Sequence, residues 1–231
     1  MPAKSGFLPS SSAFKFENSF AKVPLKKINV LGLEIPFGNA SYGLCGGMIY
    51  AGMDYFEAKM PIPSNSEAPS SGTLFDYIVK RQIESFHLPL GLLKYLFLMN
   101  PFLRDHETKA SKLGVAPHCR MWRMMKKEWP RIKKDLDNGK LSPLGLIRVK
   151  SFNPFQVRQH HQVLAYGYDL NENLLTINIY DPNLPNDDHV TLSLNIEKPE
   201  STTTVVHSKS SVPIYCFFRT HYKFKRPGYL N

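Results

Sequence analysis

The chain has 231 residues, and 42% hydrophobic content is enough for a packed core in one large domain or two small ones. Three scattered cysteines, Cys45, Cys119 and Cys216, are too few for a disulfide framework and fit a reducing compartment or unpaired thiols. The formal charge of +10 favours attraction to anionic surfaces and carries no information about fold.

Met1 to Asn18 is interrupted by Pro2, Pro9, serines and Lys15, so it lacks the apolar core of a secretory signal. The expected location is cytoplasmic, or exported without a recognisable signal peptide. Residues 1–20 read as a mobile arm whose Phe7, Phe14, Phe16 and Phe20 can pin it locally, and residues 21–231 as a single domain. Its helical part is expected at about 44–139 and its sheet part at about 144–224. Val23 to Phe37, with short apolar runs around Gly32, predicts an extended lead-in or a small hairpin.

Gly38 and Gly43 punctuate the next loop, and from Cys45 a run of small and apolar residues continues at helical spacing through Phe56. Cys45 therefore heads a helix, where unpaired N–H groups and the positive end of the dipole favour thiolate over thiol. Leu44, Met48, Ile49, Ala51, Met53, Tyr55 and Phe56 make that helix apolar nearly all round, hence buried. Gly47, Ala51 and Gly52 allow a neighbouring backbone to approach. Met60 to Gly72, rich in Pro and Ser, is a surface loop. Thr73 is the expected N-cap of a helix through Phe86, burying Phe75, Ile78, Val79, Ile83 and Phe86 and exposing Lys80, Arg81 and Glu84. A further helix spans about Leu90 to Met99; the apolar window Leu88 to Leu103 is too short, and too interrupted by proline, to span a bilayer.

Arg120 to Asn138 is helical in composition, with a kink or restart at Pro130 and a stop at Gly139. Trp122, Met125, Trp129, Ile132 and Leu136 face inward, and Arg120, Arg123, Lys126, Lys127, Arg131, Lys133 and Lys134 form a solvated face. No base-stacking aromatic platform or recognised motif accompanies that face, so it carries no specific nucleic-acid or membrane signal. Strands are expected at Leu144–Val149, Val190–Ile196, Thr203–His207 and Ile214–Phe224. Helices followed by antiparallel strands make an α+β layout.

His160 to Tyr168 and Leu174 to Asp181 form two strand-like runs joined by Asp169 to Asn173. If 168 pairs with 174, position 161 lies opposite 181, and His161 and Asp181 share the more apolar face with Val163, Ala165, Leu175, Ile177 and Ile179. A carboxylate beside a histidine fixes its tautomer, and imidazolium beside a thiol stabilises thiolate, which is what thiol nucleophilic catalysis requires. His160 points to the other face, as a surface or satisfied histidine.

The Gly43-Leu-Cys-Gly-Gly47 helix start, the strand opened by His161 with Gly167-Tyr-Asp169 following, and the return strand ending in Asp181-Pro182 resemble the papain-like cysteine peptidase superfamily. The branch it is most similar to is that of bacterial double-glycine leader peptidases, whose helix, turn and strand before the histidine resemble Ile132 to Ile147. The resemblance covers about Asn39 to Pro182 and implies a papain-like α+β fold in which a buried cysteine helix packs on an antiparallel sheet, with additional helices. It implies a peptide or protein substrate, no cofactor and no metal, with Cys45 as nucleophile, His161 as base and acid, and Asp181 as its orienter. Asn39, six residues before Cys45, stands where the family carries an oxyanion-hole glutamine, and Gly46-Gly47 stands where many active members carry bulkier residues. Two alternatives stay open: a papain-like scaffold acting as a binding module, and a metal protein using Cys45, His161 and Asp181 or His118-Cys119. The latter lacks the usual zinc spacings.

Overall fold

The computed structural model describes residues 5–25, 28–30, 33–35, 38–197 and 204–228. They divide into two compact units. A mainly helical unit takes the described residues within Phe7–Leu92, Tyr180–Asp188 and Thr220–Asn231, and a sheet-bearing unit those within Met1–Gly6, Leu93–Ile179 and His189–Arg219.

In the helical unit, the short helix α1 (Pro9–Ser12) leads into Phe14, Phe16 and Phe20, which are buried together with Leu44, Met48, Ala51, Tyr55, Phe75 and Ile78. The expected mobile arm is, over residues 7–20, a packed segment in which Phe7, Phe14, Phe16 and Phe20 are all buried. A hairpin of β1 (Ile28–Val30) and β2 (Leu33–Ile35) follows, as expected for the lead-in. Helix α2 (Cys45–Glu57) begins at the cysteine and is buried from Cys45 through Tyr55. Helix α3 (Gly72–Ser85) lies against it so closely that a Cβ added at Gly47 would come 2.2 Å from the Ile78 carbonyl oxygen. Gly47 is the residue that permits this approach; at Gly52 an added Cβ would meet nothing within 4 Å.

One charge of α3 lies where its pattern did not place it. Arg81, expected outward, is 1% exposed. Its Nε lies 2.7 Å from Oδ2 of Asp54, itself wholly buried on α2, and its Nη2 donates to Asp54 Oδ1 at 3.2 Å and to the Lys223 carbonyl at 3.0 Å. Asp54 also accepts from Tyr77 Oη (2.7 Å), Tyr222 Oη (2.8 Å) and the Lys225 backbone N–H (2.9 Å). A charge is tolerated inside a protein when paired and hydrogen-bonded, and this one holds residues 222–225 onto both helices.

The sheet-bearing unit contains most of α4 (Leu90–Met99), then α5 (Lys109–Lys112), α6 (Arg120–Arg123) and α7 (Trp129–Asp137). Between α6 and α7 the expected break at Pro130 takes the form of a π-helical stretch, Met124–Glu128; proline supplies no N–H to the preceding turn. Gly139, with φ +70°, ends α7 as expected. Arg120 departs from the expected solvated face. It is 1% exposed, its Nε donates to the Leu98 carbonyl at 2.7 Å, and its Nη1 pairs with Asp105.

The antiparallel sheet comprises β3 (Ser142–Ile147), β4 (His161–Asn171), β5 (Leu174–Tyr180), β6 (Thr191–Asn195), β7 (Val205–His207), β8 (Ser210–Ile214) and β9 (Cys216–Arg219). Their order is β8-β7-β6-β5-β4-β3-β9. β8 and β9 are separated by Tyr215 alone yet lie at opposite ends of this order, so the sheet curls until its edges meet; Tyr215 N–H donates to the Ile147 carbonyl at 2.8 Å. The single strand expected over 214–224 is therefore two different elements plus a tail outside the sheet. β4 and β5 are neighbours, as expected, but their link is two residues, not five. Glu172 takes the left-handed conformation (φ +52°), and β4 runs on to Asn171, while β5 starts at Leu174 as expected.

Candidate functional site

Cys45 is the first residue of α2 and 9% exposed. The turn that presents it is built from three constraints within the helical unit. Gly43 has φ +90°, a region that disfavours side chains, and Leu44, the N-cap residue, contributes no side-chain cap. Instead the Leu44 N–H donates to Asn18 Oδ1 at 2.5 Å, and the Gly47 N–H, in the first turn, donates to Gln82 Oε1 of α3 at 2.8 Å. Capping is thus supplied by side chains 26 and 35 residues distant in sequence, which no local motif could announce.

Asn39 is partly exposed and caps the 3₁₀ turn Ala40–Tyr42, its Oδ1 accepting the Ser41 N–H at 3.0 Å. Using the oxygen in this way leaves the amide nitrogen as the end able to donate. Asp181 follows the last residue of β5 and is 4% exposed; its Oδ1 accepts the Asn183 N–H at 2.8 Å, and its carbonyl accepts from Leu184 at 2.9 Å. These two bonds close a tight turn around the carboxylate.

His161 opens β4, opposite Leu146 of β3, and is 5% exposed. His160, one residue earlier, is a satisfied histidine. It is buried, stacks on Tyr95 with ring centroids 5.5 Å apart, accepts the Arg148 N–H at Nδ1 (3.2 Å) and places Nε2 3.4 Å from Met99 Sδ. Burial, reinforced by Arg148, lowers its pKa to about 4, so it is neutral at pH 7. Cys45, Asn39 and Asp181 belong to the helical unit, and His161 to the sheet-bearing unit.

The other two cysteines sit in different chemistry. Burial drives the Cys119 thiol up to about 11 and the Cys216 thiol up to about 12. Cys119 caps α6, its sulfur accepting the Trp122 N–H at 3.3 Å, and its own N–H donates to Glu107 Oε1 at 2.9 Å. His118 stacks on Trp122 at 3.6 Å with Nδ1 3.2 Å from the same Glu107 oxygen. The His118-Cys119 pair is thereby committed to local structure, and among the described residues no group of three or more His, Cys, Asp or Glu side chains is placed to hold a metal ion. Among them also, no helix is long and apolar enough to cross a membrane.

No protein-family model matches the chain, and no curated protein or solved structure matches it.

Proposed function

We propose that the chain is a cysteine-dependent hydrolase or acyltransferase with a papain-like fold, acting on peptide or amide bonds through an acyl-enzyme on Cys45. The observation that carries this reading is the position of Cys45 as the first residue of a thirteen-residue buried helix, where backbone N–H groups and the dipole favour a thiolate, while the other two thiols are held protonated by burial.

In this reading His161 takes the Cys45 proton, the sulfur attacks the substrate carbonyl carbon, and the tetrahedral oxyanion is met by the Cys45 N–H and the Asn39 amide nitrogen. Collapse expels the amine, which receives the proton from His161. Water or a second amine then resolves the thioester. Asp181, held in its turn by Asn183, orients the imidazole.

The test is a panel of peptide, amide and ester substrates presented to the wild type and to Cys45→Ala, His161→Ala and Asp181→Ala. Each substitution should abolish or severely reduce thiol-dependent cleavage without unfolding the protein, Asp181→Ala being the mildest, and the losses should not add. Asn39→Ala should cost about 10²–10³-fold in turnover, the range for deletion of an oxyanion donor. Activity that survives Cys45→Ala overturns the reading. A wild type that cleaves nothing and whose Cys45 resists alkylation favours a papain-like binding module instead.

A further inference from the structure

Asn18 lies in the segment that the sequence assigns to an arm, yet its polar atoms bond to both sides of the proposed site within the helical unit. Its Oδ1 accepts the N–H of Leu44, the residue before Cys45, at 2.5 Å. Its Nδ2 donates to Asn183 Oδ1 at 3.1 Å, and its backbone N–H donates to the Pro182 carbonyl at 2.9 Å. Asn183 in turn donates its N–H to Asp181 Oδ1 at 2.8 Å. Hydrogen bonds therefore link the backbone just before Cys45, through both ends of the Asn18 amide, to the Asn183 side chain, and the backbone N–H of that same residue reaches the Asp181 carboxylate.

The surrounding structure is shaped to keep that amide in place. A Cβ on Gly43 would lie 2.6 Å from Asn18 Nδ2, so the loop approaches Asn18 closely enough to require glycine, at a φ of +90° that itself favours glycine. Asn18 is flanked by Phe16 and Phe20, both buried in the core cluster that also contains Leu44. Two fixed anchors on either side remove most of the freedom of the segment between them.

We infer that Asn18 is a positioning residue that sets the Cys45 turn and the Asp181 turn in register with each other, an inference that rests on the cysteine-nucleophile reading above. Asparagine suits the role because one end accepts and the other donates; aspartate cannot donate, and alanine does neither. The N-terminal segment is then part of the site's scaffold.

The test reads the alkylation rate of Cys45 by iodoacetamide against pH, with labelled positions mapped by mass spectrometry, in the wild type, Asn18→Ala and Asn183→Ala. A change confined to folding stability would leave the midpoint of this profile in place. In Asn18→Ala the midpoint should move up by about one pH unit, a tenfold drop in thiolate at fixed pH. Asn183→Ala, which spares the Leu44 bond, should move it by less. If Asn18→Ala does not fold, Asn183→Ala decides alone. An unchanged profile in a folded variant overturns the positioning role and leaves the nucleophile reading standing. Should wild-type Cys45 alkylate no faster than Cys119 below pH 7, the nucleophile reading falls and the positioning role falls with it.

Discussion

Gln82 of α3 accepts the N–H of Gly47 at 2.8 Å, and this bond, buried on both sides, makes one helix the cap of another. Replacing Gln82 with Leu leaves a buried N–H without an acceptor, and stability should fall by about 1–3 kcal/mol. Urea unfolding followed by circular dichroism measures it. Gly47→Ala attacks the same contact from the other side, because the new methyl group meets the Ile78 carbonyl. A similar loss of about 1–3 kcal/mol is expected there.

The ion pair between Asp54 and Arg81 predicts a larger effect. Asp54→Ala leaves a guanidinium that is 1% exposed with only Glu84 and the Lys223 carbonyl as partners, and it removes an acceptor from Tyr77, Tyr222 and the Lys225 N–H. The expected cost is about 3–5 kcal/mol. Limited proteolysis should show the C-terminal residues released first, since Asp54 and Arg81 hold Lys223 and Lys225 directly. A melt indistinguishable from wild type would show that the pair contributes nothing net.

The thiols should separate by reactivity. With Cys119 raised to about 11 and Cys216 to about 12, neither presents an appreciable thiolate fraction at pH 7. Iodoacetamide at that pH should modify Cys45 first, and the other two only after denaturant is added. Peptide mapping of a labelling time course reads the order directly.

His160 predicts a pH dependence of stability. Its folded pKa of about 4 lies below the ordinary 6.5, so between these values the unfolded chain binds a proton that the folded one does not. The contribution of the neutral ring is complete above pH 6.5 and is lost as pH falls from 6.5 to 4, on the order of 3 kcal/mol in all. His160→Asn keeps an acceptor for the Arg148 N–H without the titration, so its stability should vary less across that window. Denaturant midpoints at pH 7, 5.5 and 4.5 for both proteins measure the difference; parallel curves would assign the acid lability to other groups.

What the sequence determined by itself was local. The start of α2 at Cys45, the extent of α4 from Leu90 to Met99, the break before Pro130 and the stop at Gly139 all follow from spacing and from what glycine and proline do to the backbone within a turn. The adjacency of β4 and β5 was legible for the same reason. Their turn was not, because the polar run Asp169 to Asn173 reads as loop throughout, whereas β4 continues through Asn171 and only Glu172 and Asn173 reverse the chain. Tertiary structure alone decided the fate of the charged and amide side chains. Arg81 and Arg120 scored as solvent-facing because an isolated cation belongs in water; each is buried where an acid and backbone carbonyls satisfy it, and the Asp54 cluster draws on Lys225, 171 residues away. Asn18 was invisible for the same physical reason. An amide is neutral to any local pattern, and its role exists only where Leu44 and Asn183, 26 and 165 residues distant, converge on its two ends.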